Sequence, residues 1–297
     1  MHRLRLLREL AYRGTIAAVA QALNYTPSAV SQQLSALERE AGQPLLERTG
    51  RRVRLTSAGR ILVEHAEEVL AGLEGAEAAL AAAREGLTGT LRLGAFPSAA
   101  RTLLPSALVE LGRNHPGLEL VVEEDDPMHA AEALRTGTLD AALTQDYDLV
   151  PVPEHPALES TVVLTEAMLL ASHRPPADLA DPVGSFRDGP WIMGKSHNLC
   201  GLAARRICEA AGFQPRIRHQ TDDFPTALAL VAAGHGQALL PGLGATSRPA
   251  GVVLTPLPVM ARVAVTHRRG AGSHPAIIAF RMAADHAAER YLAEADL

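Results

Sequence analysis

Thr15–Thr56 constrains this chain more than any other stretch. Ile16–Leu23 (IAAVAQAL) reads as a short apolar helix, and Asn24-Tyr25 as the turn that ends it. Thr26 can cap a second helix through its side-chain oxygen. Pro27 suits the first helical position, which needs no N–H. Val30, Leu34, Leu37 and Ala41 then fall at i, i+4, i+7 and i+11, one buried stripe. Ser28, Ser31, Gln32 and Ser35 repeat on another face that is polar, uncharged and short-chained. Gly42 stops the helix and Pro44 prevents its continuation.

A basic hairpin follows. Arg48, Arg51, Arg52 and Arg54 crowd around Gly50, while Val53 and Leu55 alternate as in a half-buried strand. Arginines at a hairpin tip suit phosphates or a minor groove, and the uncharged helix face suits base edges. The competing reading is an ordinary helix pair with a solvated face. Charge distribution separates the two. Residues 1–60 hold ten Arg and four Glu with no Asp or Lys, a surplus of +6. The chain's net −5 then puts −11 on the remainder. A basic head on an acidic body orients a chain on DNA.

The run AAVAQALNYTPSAVSQQLSALEREAGQPLLERTGRRVRLTSAG resembles the N-terminal domain of LysR-type transcriptional regulators. The matching features are the small-residue helix before Leu23, Thr26-Pro27-Ser28-Ala29-Val30-Ser31, Leu37-Glu38, Gly42, Leu45-Leu46, Arg48, Leu55-Thr56 and Ala58-Gly59. One departure is the first helix, Arg3–Arg13, which lacks the family's phenylalanine; Leu10 is expected to fill that space. The resemblance is close over residues 1–84 and holds in outline beyond. It implies a winged helix-turn-helix over 1–56 that contacts DNA through Thr26, Pro27, Ser28, Ser31, Gln32, Gln33, Ser35, Arg48, Arg51 and Arg52.

Residues 57–84 read as one long helix, about 42 Å at 1.5 Å per residue. Thr56 or Ser57 can cap it. Leu62, Ala66, Val69, Leu73, Ala76, Leu80 and Ala83 form a heptad seam. The helix either lies on its own body or pairs with a second copy. Its length and seam favour a homodimer, with two recognition helices about 34 Å apart. Residues 85–89 break the helix and serve as a hinge.

From Thr90 strands alternate with helices, so the fold class is α+β/α/β multidomain. Leu91–Ala95, Leu118–Glu123 and Leu139–Thr144 read as strands around the helices Ala100–Arg113 and Met128–Arg135. The pattern repeats downstream: helix Gly201–Ala211, strand Arg216–Gln220, helix Thr226–Ala233, strand Gln237–Leu240. Asp125-Asp126 answers Asp222-Asp223, and Gly137 answers Gly234. This echo predicts two α/β lobes, lobe I over about 90–160 and 268–297 and lobe II over about 161–267. The chain is expected to cross between them in the proline-rich stretches Asp146–Glu159 and Val252–Pro258. Helix Pro275–Leu292 returns to lobe I. Two such lobes resemble the LysR effector domain, itself similar to type 2 periplasmic binding proteins.

Ligands in open α/β sheets sit beyond strand carboxyl ends, near helix N-termini. Phe96–Arg101 and Lys195–Leu199 meet that description and offer N–H groups to a small anion. From these two helix starts Ala100, Arg101, Lys195, Ser196 and His197 are candidate effector contacts, and the resemblance implies contacts at Ser98 and nearby, at Thr144 and Gln145, and at Thr221, Asp222, Phe224 and Pro241. Cys200 and Cys208 sit eight apart. Peroxide-sensing members of the family carry a cysteine pair here, with wider spacing. On one helix eight residues span about 12 Å, beyond the ~7 Å Cα limit of a disulfide.

No GxSxG, P-loop, HExxH or CxxC is present, and the histidines lack metal-ligand spacing. No enzyme activity, metal or cofactor is expected. Met1–Leu10 carries charges throughout, and no stretch approaches the ~20 apolar residues of a membrane span, so a cytoplasmic location is expected. The expected partners are double-stranded DNA at an interrupted palindrome, a small-molecule effector and a second copy, with a dimer of dimers implied by the resemblance. Two alternatives stay open: a solute-binding module without DNA binding, and a redox sensor acting through Cys200.

Overall fold

Side-chain caps set the head's geometry. The computed structural model describes residues 1–49, 52–84, 86–124, 127–150, 155–196 and 198–295. It begins with α1 (His2–Arg13), α2 (Ile16–Ala22) and α3 (Pro27–Ala41). Thr15 caps α2, and Thr26 caps α3 by accepting from the Ala29 N–H at 3.2 Å. Gly14 and Gly42 end α1 and α3 in the left-handed region, at φ of 71° and 68°. Leu6, Leu7 and Leu10 meet Val19, Val30, Leu34 and Leu37 in one apolar core, so Leu10 does take up space there. Ala41 is exposed, because α3 has left the head core by its last turn.

The hairpin is β1 (Leu46–Thr49) and β2 (Arg52–Leu55), antiparallel with Leu46 opposite Leu55. Glu38 accepts from the Leu45 and Leu46 N–H groups, both at 3.0 Å, and ties the wing to α3. A Cβ at Gly59 would lie 2.2 Å from the Leu45 carbonyl oxygen, so the wing root tolerates only glycine there.

Helix α4 (Ser57–Ala82) is capped by Thr56, which accepts from Gly59 N–H at 3.0 Å. One face packs inward through Ala66, Glu67, Leu70 and Ala78. It approaches the body closely: a Cβ on Gly270 would sit 2.1 Å from the Ala71 carbonyl oxygen. Most of the heptad seam points elsewhere. Val69 is 46% exposed and Leu80 68%, while Ala66 alone of the seam is buried. The two placements posed by the sequence are therefore not exclusive.

The body is β3 (Gly89–Ala95), α5 (Pro97–Asn114), β4 (Leu118–Glu124), α6 (Pro127–Thr136), β5 (Ala141–Tyr147), β6 (Leu158–Ser172), β7 (Pro190–Met193), α7 (Leu199–Ala210), β8 (Arg216–Gln220), α8 (Phe224–Ala232), β9 (Gln237–Pro241), β10 (Val253–Arg268) and α9 (Pro275–Ala295). Among the described residues its strands form one sheet, ordered β4-β3-β5-β10-β6-β9-β7-β8. β3 runs parallel to β4 and β5, and β7 parallel to β8 and β9, as alternating strands and helices require. α5 and α9 pack together over lobe I, so α9 does return there.

The crossings differ from the expected ones. Two long antiparallel strands, β6 and β10, carry the chain between lobes. The far end of β10 pairs with β5 in lobe I, and the far end of β6 with β9 in lobe II. Asp146 still belongs to β5, and Val253–Pro258 is already strand. Pro256 and Pro258 are tolerated because β10 has only β6 beside it there, with a register shift before Met260.

Candidate effector seam and nucleic-acid interface

β5, β10 and β6 lie side by side, and their register builds the seam. Gln145, Val263 and Leu164 form one row across the sheet; Tyr147, Ala261 and Glu166 form the next. Residues two apart share a face. On that face Leu143, Leu164 and Val265 join the core under α5 and α9. Tyr147, Met168 and Leu170 join the core under α7. Buried polar groups lie where these two apolar cores meet.

Those groups are incompletely satisfied. Gln145 Oε1 accepts from the Tyr147 hydroxyl at 2.8 Å, but its Nε2 has no partner among the described residues. Glu166 Oε2 accepts from Leu243 N–H at 2.8 Å and from the Tyr291 hydroxyl at 3.3 Å, leaving Oε1 unpaired. Ser98, 1% exposed, has an Oγ without a partner among the described residues. Each such atom costs about 1–3 kcal/mol when nothing completes it. Burial pushes Glu166 up to about 7, against the lowering effect of its two donors.

The helix starts differ from each other. α5 carries no side-chain cap, so Ser98 stands at a free, buried helix N-terminus. At α7, Asn198 accepts from the Cys200 and Gly201 N–H groups at 2.8 and 3.4 Å. The anion-binding capacity expected at both ends is therefore kept at α5 and largely consumed at α7.

Other expected contacts scatter. Ala100 is half-buried and Arg101 exposed. Thr144 faces the opposite side of the sheet from Gln145, where its hydroxyl meets Thr266 at 2.7 Å and Thr266 meets Ser160 at 2.8 Å. Strand alternation dictates this, so Thr144 is not a seam residue. Asp222 accepts from Lys195 N–H at 2.8 Å and faces its ammonium at 3.5 Å. Ser196 is exposed, and His197 lies outside the described residues. Thr221 accepts from Asp223 N–H, Phe224 opens α8, and Pro241 is buried at the end of β9. Thr221, Asp222 and Phe224 line a cavity of about 20 Å³ together with Asn198 and Cys200. That holds about one water molecule. Glu166 lies on β6, a strand that the sequence pattern does not reveal, while Tyr147 on β5 and Tyr291 on α9 stand in no motif that marks them.

In the head, Ser28, Gln32 and Ser35 are exposed on α3, and Ser31 is half-buried. Thr26 and Pro27 stand exposed at its start. Gln33 is tied back, its Oε1 accepting from Arg3 Nε at 2.8 Å. Arg48 and Arg52 lie on β1 and β2, and exposed Arg54 stands opposite Glu47. Arg51 lies outside the described residues. No group of three or more metal-ligating side chains is found among the described residues, and no helix there is long and apolar enough to cross a membrane.

A helix-turn-helix head with a wing, carried on a long helix and joined to a two-lobed α/β body, defines a class of bacterial regulator. Residues 1–60 match the family described as "Bacterial regulatory helix-turn-helix protein, lysR family", and residues 84–288 match "LysR substrate binding domain". The chain belongs to the LysR family of transcriptional regulators, which are not enzymes. It is similar to a probable hydrogen peroxide-inducible genes activator of Mycobacterium leprae, at 31% identity over 77% of this chain and 73% of that one. It is similar to the HTH-type transcriptional regulator AlsR of Bacillus subtilis, at 31% identity over 75% and 74%. Among solved structures, the Corynebacterium glutamicum OxyR C206 mutant shares the fold, with a TM-score of 0.61 and 23% identity over 99% of this chain and 93% of that one. Full-length CbnR in complex with its target DNA matches with a TM-score of 0.52 and 25% identity over 97% and 99%.

Proposed function

We propose that this regulator binds an interrupted palindrome in double-stranded DNA as a homodimer, or a dimer of dimers, in the cytoplasm. Ser28, Ser31, Gln32 and Ser35 of α3 read the base edges. Arg48, Arg51 and Arg52 of the wing hold phosphate. A small-molecule effector occupies the seam at Ser98, Gln145 and Glu166 and changes the relative setting of the paired heads. That is allostery only if the effector prefers one setting. The observation that carries the reading is the exposed, uncharged face of α3 beside an arginine hairpin, on a head whose charge opposes the body's.

A mobility-shift assay against the protein's own upstream region, at stated salt, tests it. Retarded duplex is expected, and no retardation at low salt would leave a solute-binding module without DNA binding. Arg51→Ala should weaken binding to every sequence and flatten the salt slope by about one. A Ser31 or Gln32 change should alter sequence preference more than overall affinity. An Arg51 variant that changed only sequence choice would overturn this division of roles.

The names of several relatives favour a peroxide sensor, and Cys200 is the residue to weigh. Cys200 and Cys208 lie on one regular helix, about 12 Å apart along its axis. Burial pushes both thiols up to about 12, which keeps them protonated, and the thiolate is the reactive form. Cys200→Ser should therefore leave regulation in peroxide-treated cells as it is in wild type. Loss of a peroxide response in that variant would restore the redox reading.

A further inference from the structure

The head does not hang free of its own body. Glu9 of α1 is fully buried, 3.4 Å from Arg135 of α6, 3.3 Å from Arg8 and 3.1 Å from Arg13. Arg13 reaches on to Glu132 of α6 at 2.7 Å. Arg8 faces Glu67 of α4 at 3.6 Å and donates to the Arg135 carbonyl at 3.1 Å. The Tyr12 hydroxyl donates to Glu67. The Tyr12 ring lies 5.0 Å from the Arg135 guanidinium and 4.4 Å from the His155 ring. Three guanidiniums thus meet three carboxylates at the junction of head, linker helix and lobe I.

Two physical facts make this junction a two-state element. Removing Glu9 or Arg135 leaves buried partners short of countercharge, so these two members hold the head and lobe I together. Opening it toward lobe I instead returns Arg135 and Glu132 to water and exposes Glu9 and Arg13, and that hydration offsets much of the lost attraction. The docking of α4 on Gly270 is separate, a close backbone approach that opening the cluster leaves in place.

We propose that these charges form a releasable clasp that fixes the DNA-binding head against its own lobe I. While it is closed, head, α4 and lobe I move as one body, and the spacing of two heads is set by the contact between copies. When it opens, each head stays packed on the start of α4 through Ala58, Leu62 and Val63 and parts from lobe I. The consequence for DNA rests on the regulator reading above; the clasp itself does not.

Small-angle scattering and NMR titration of His155 in the full chain test this, using Arg135→Gln and Glu132→Arg. Glu132 is half-exposed, so its variant leaves both cores intact. Wild type is expected to scatter as the closed form at low salt, with His155 held down to about 4 by burial and by the Arg135 and Arg8 charges, against the opposing Glu9 charge. Both variants should show a larger radius of gyration, with His155 returning toward 6.5. Unchanged scattering in both, or a His155 that does not move, overturns the clasp. Opened variants beside a wild type that fails to retard duplex would uphold the clasp and sink the DNA-binding reading.

Discussion

Replacing Glu9 by alanine should part the head from lobe I at a cost of about 3–5 kcal/mol, the range for removing one member of a buried ion cluster. Arg8, Arg13 and Arg135 all converge on this carboxylate. Arg8 and Arg13 keep Glu67 and Glu132, but the Arg135 guanidinium loses the carboxylate that holds it to the head. The head's own core of Leu6, Leu7 and Leu10 is untouched. The expected result is a denaturation curve with an added early step. Trp191, the chain's single tryptophan, is buried in lobe II and should report an unchanged midpoint there. A curve that moves as a whole would mean that Glu9 serves the head's fold and not its docking.

Acid should produce the same step in wild type. Burial raises the Glu9 carboxyl, but Arg135, Arg8 and Arg13 outweigh it and hold the group below its ordinary 4.5. The closed form therefore binds fewer protons than the open one. Its stabilisation is complete above about 4.5 and is lost as pH falls through the lower value. His155, held down to about 4, works in the same direction: its contribution is full above 6.5 and is lost as pH falls toward 4. Loosening should begin below about 6.5 with His155 and finish with Glu9, as seen by scattering across that range.

Local chemistry explains what was legible in the sequence. Thr26 with Pro27, Gly42 and Thr56 act within a few residues of themselves, so the spelling of the head reads directly into its caps and ends. The parallel halves of the body were legible because helices alternate with strands. The crossing strands were hidden by their own composition. β6 buries Leu164, Glu166, Met168 and Leu170 in strict alternation, but one of the four is a carboxylate. β10 carries two prolines, which argue against a strand until its one-sided pairing is known. Glu166 was lost with β6. Thr144 parts from Gln145 for another reason: the resemblance implies contacts at both neighbours, while a strand sends successive side chains to opposite faces. The clasp was out of reach because its contacts between head and lobe I join residues more than a hundred positions apart.

Val69→Glu combined with Leu80→Glu should turn a dimer into a monomer and weaken DNA binding by about 10²–10⁴-fold, the advantage that a tethered second site confers. Both side chains project from α4 into solvent within one chain, so the charges should leave the monomer's fold intact. At 100° per residue the seam around Val69, Leu73 and Leu80 lies about a quarter turn from the face that meets the body, while Leu62 packs on the head's core. A second copy can therefore dock on the seam without displacing α4 from Gly270. With the clasp closed, this seam is the one variable left in the distance between heads, and loosening it should cost affinity without shifting the salt slope of a single head. Sedimentation gives the mass and a salt titration gives the slope. If the charged variant keeps its dimer mass, the pairing surface lies elsewhere on the chain, and the free face of α4 needs another explanation.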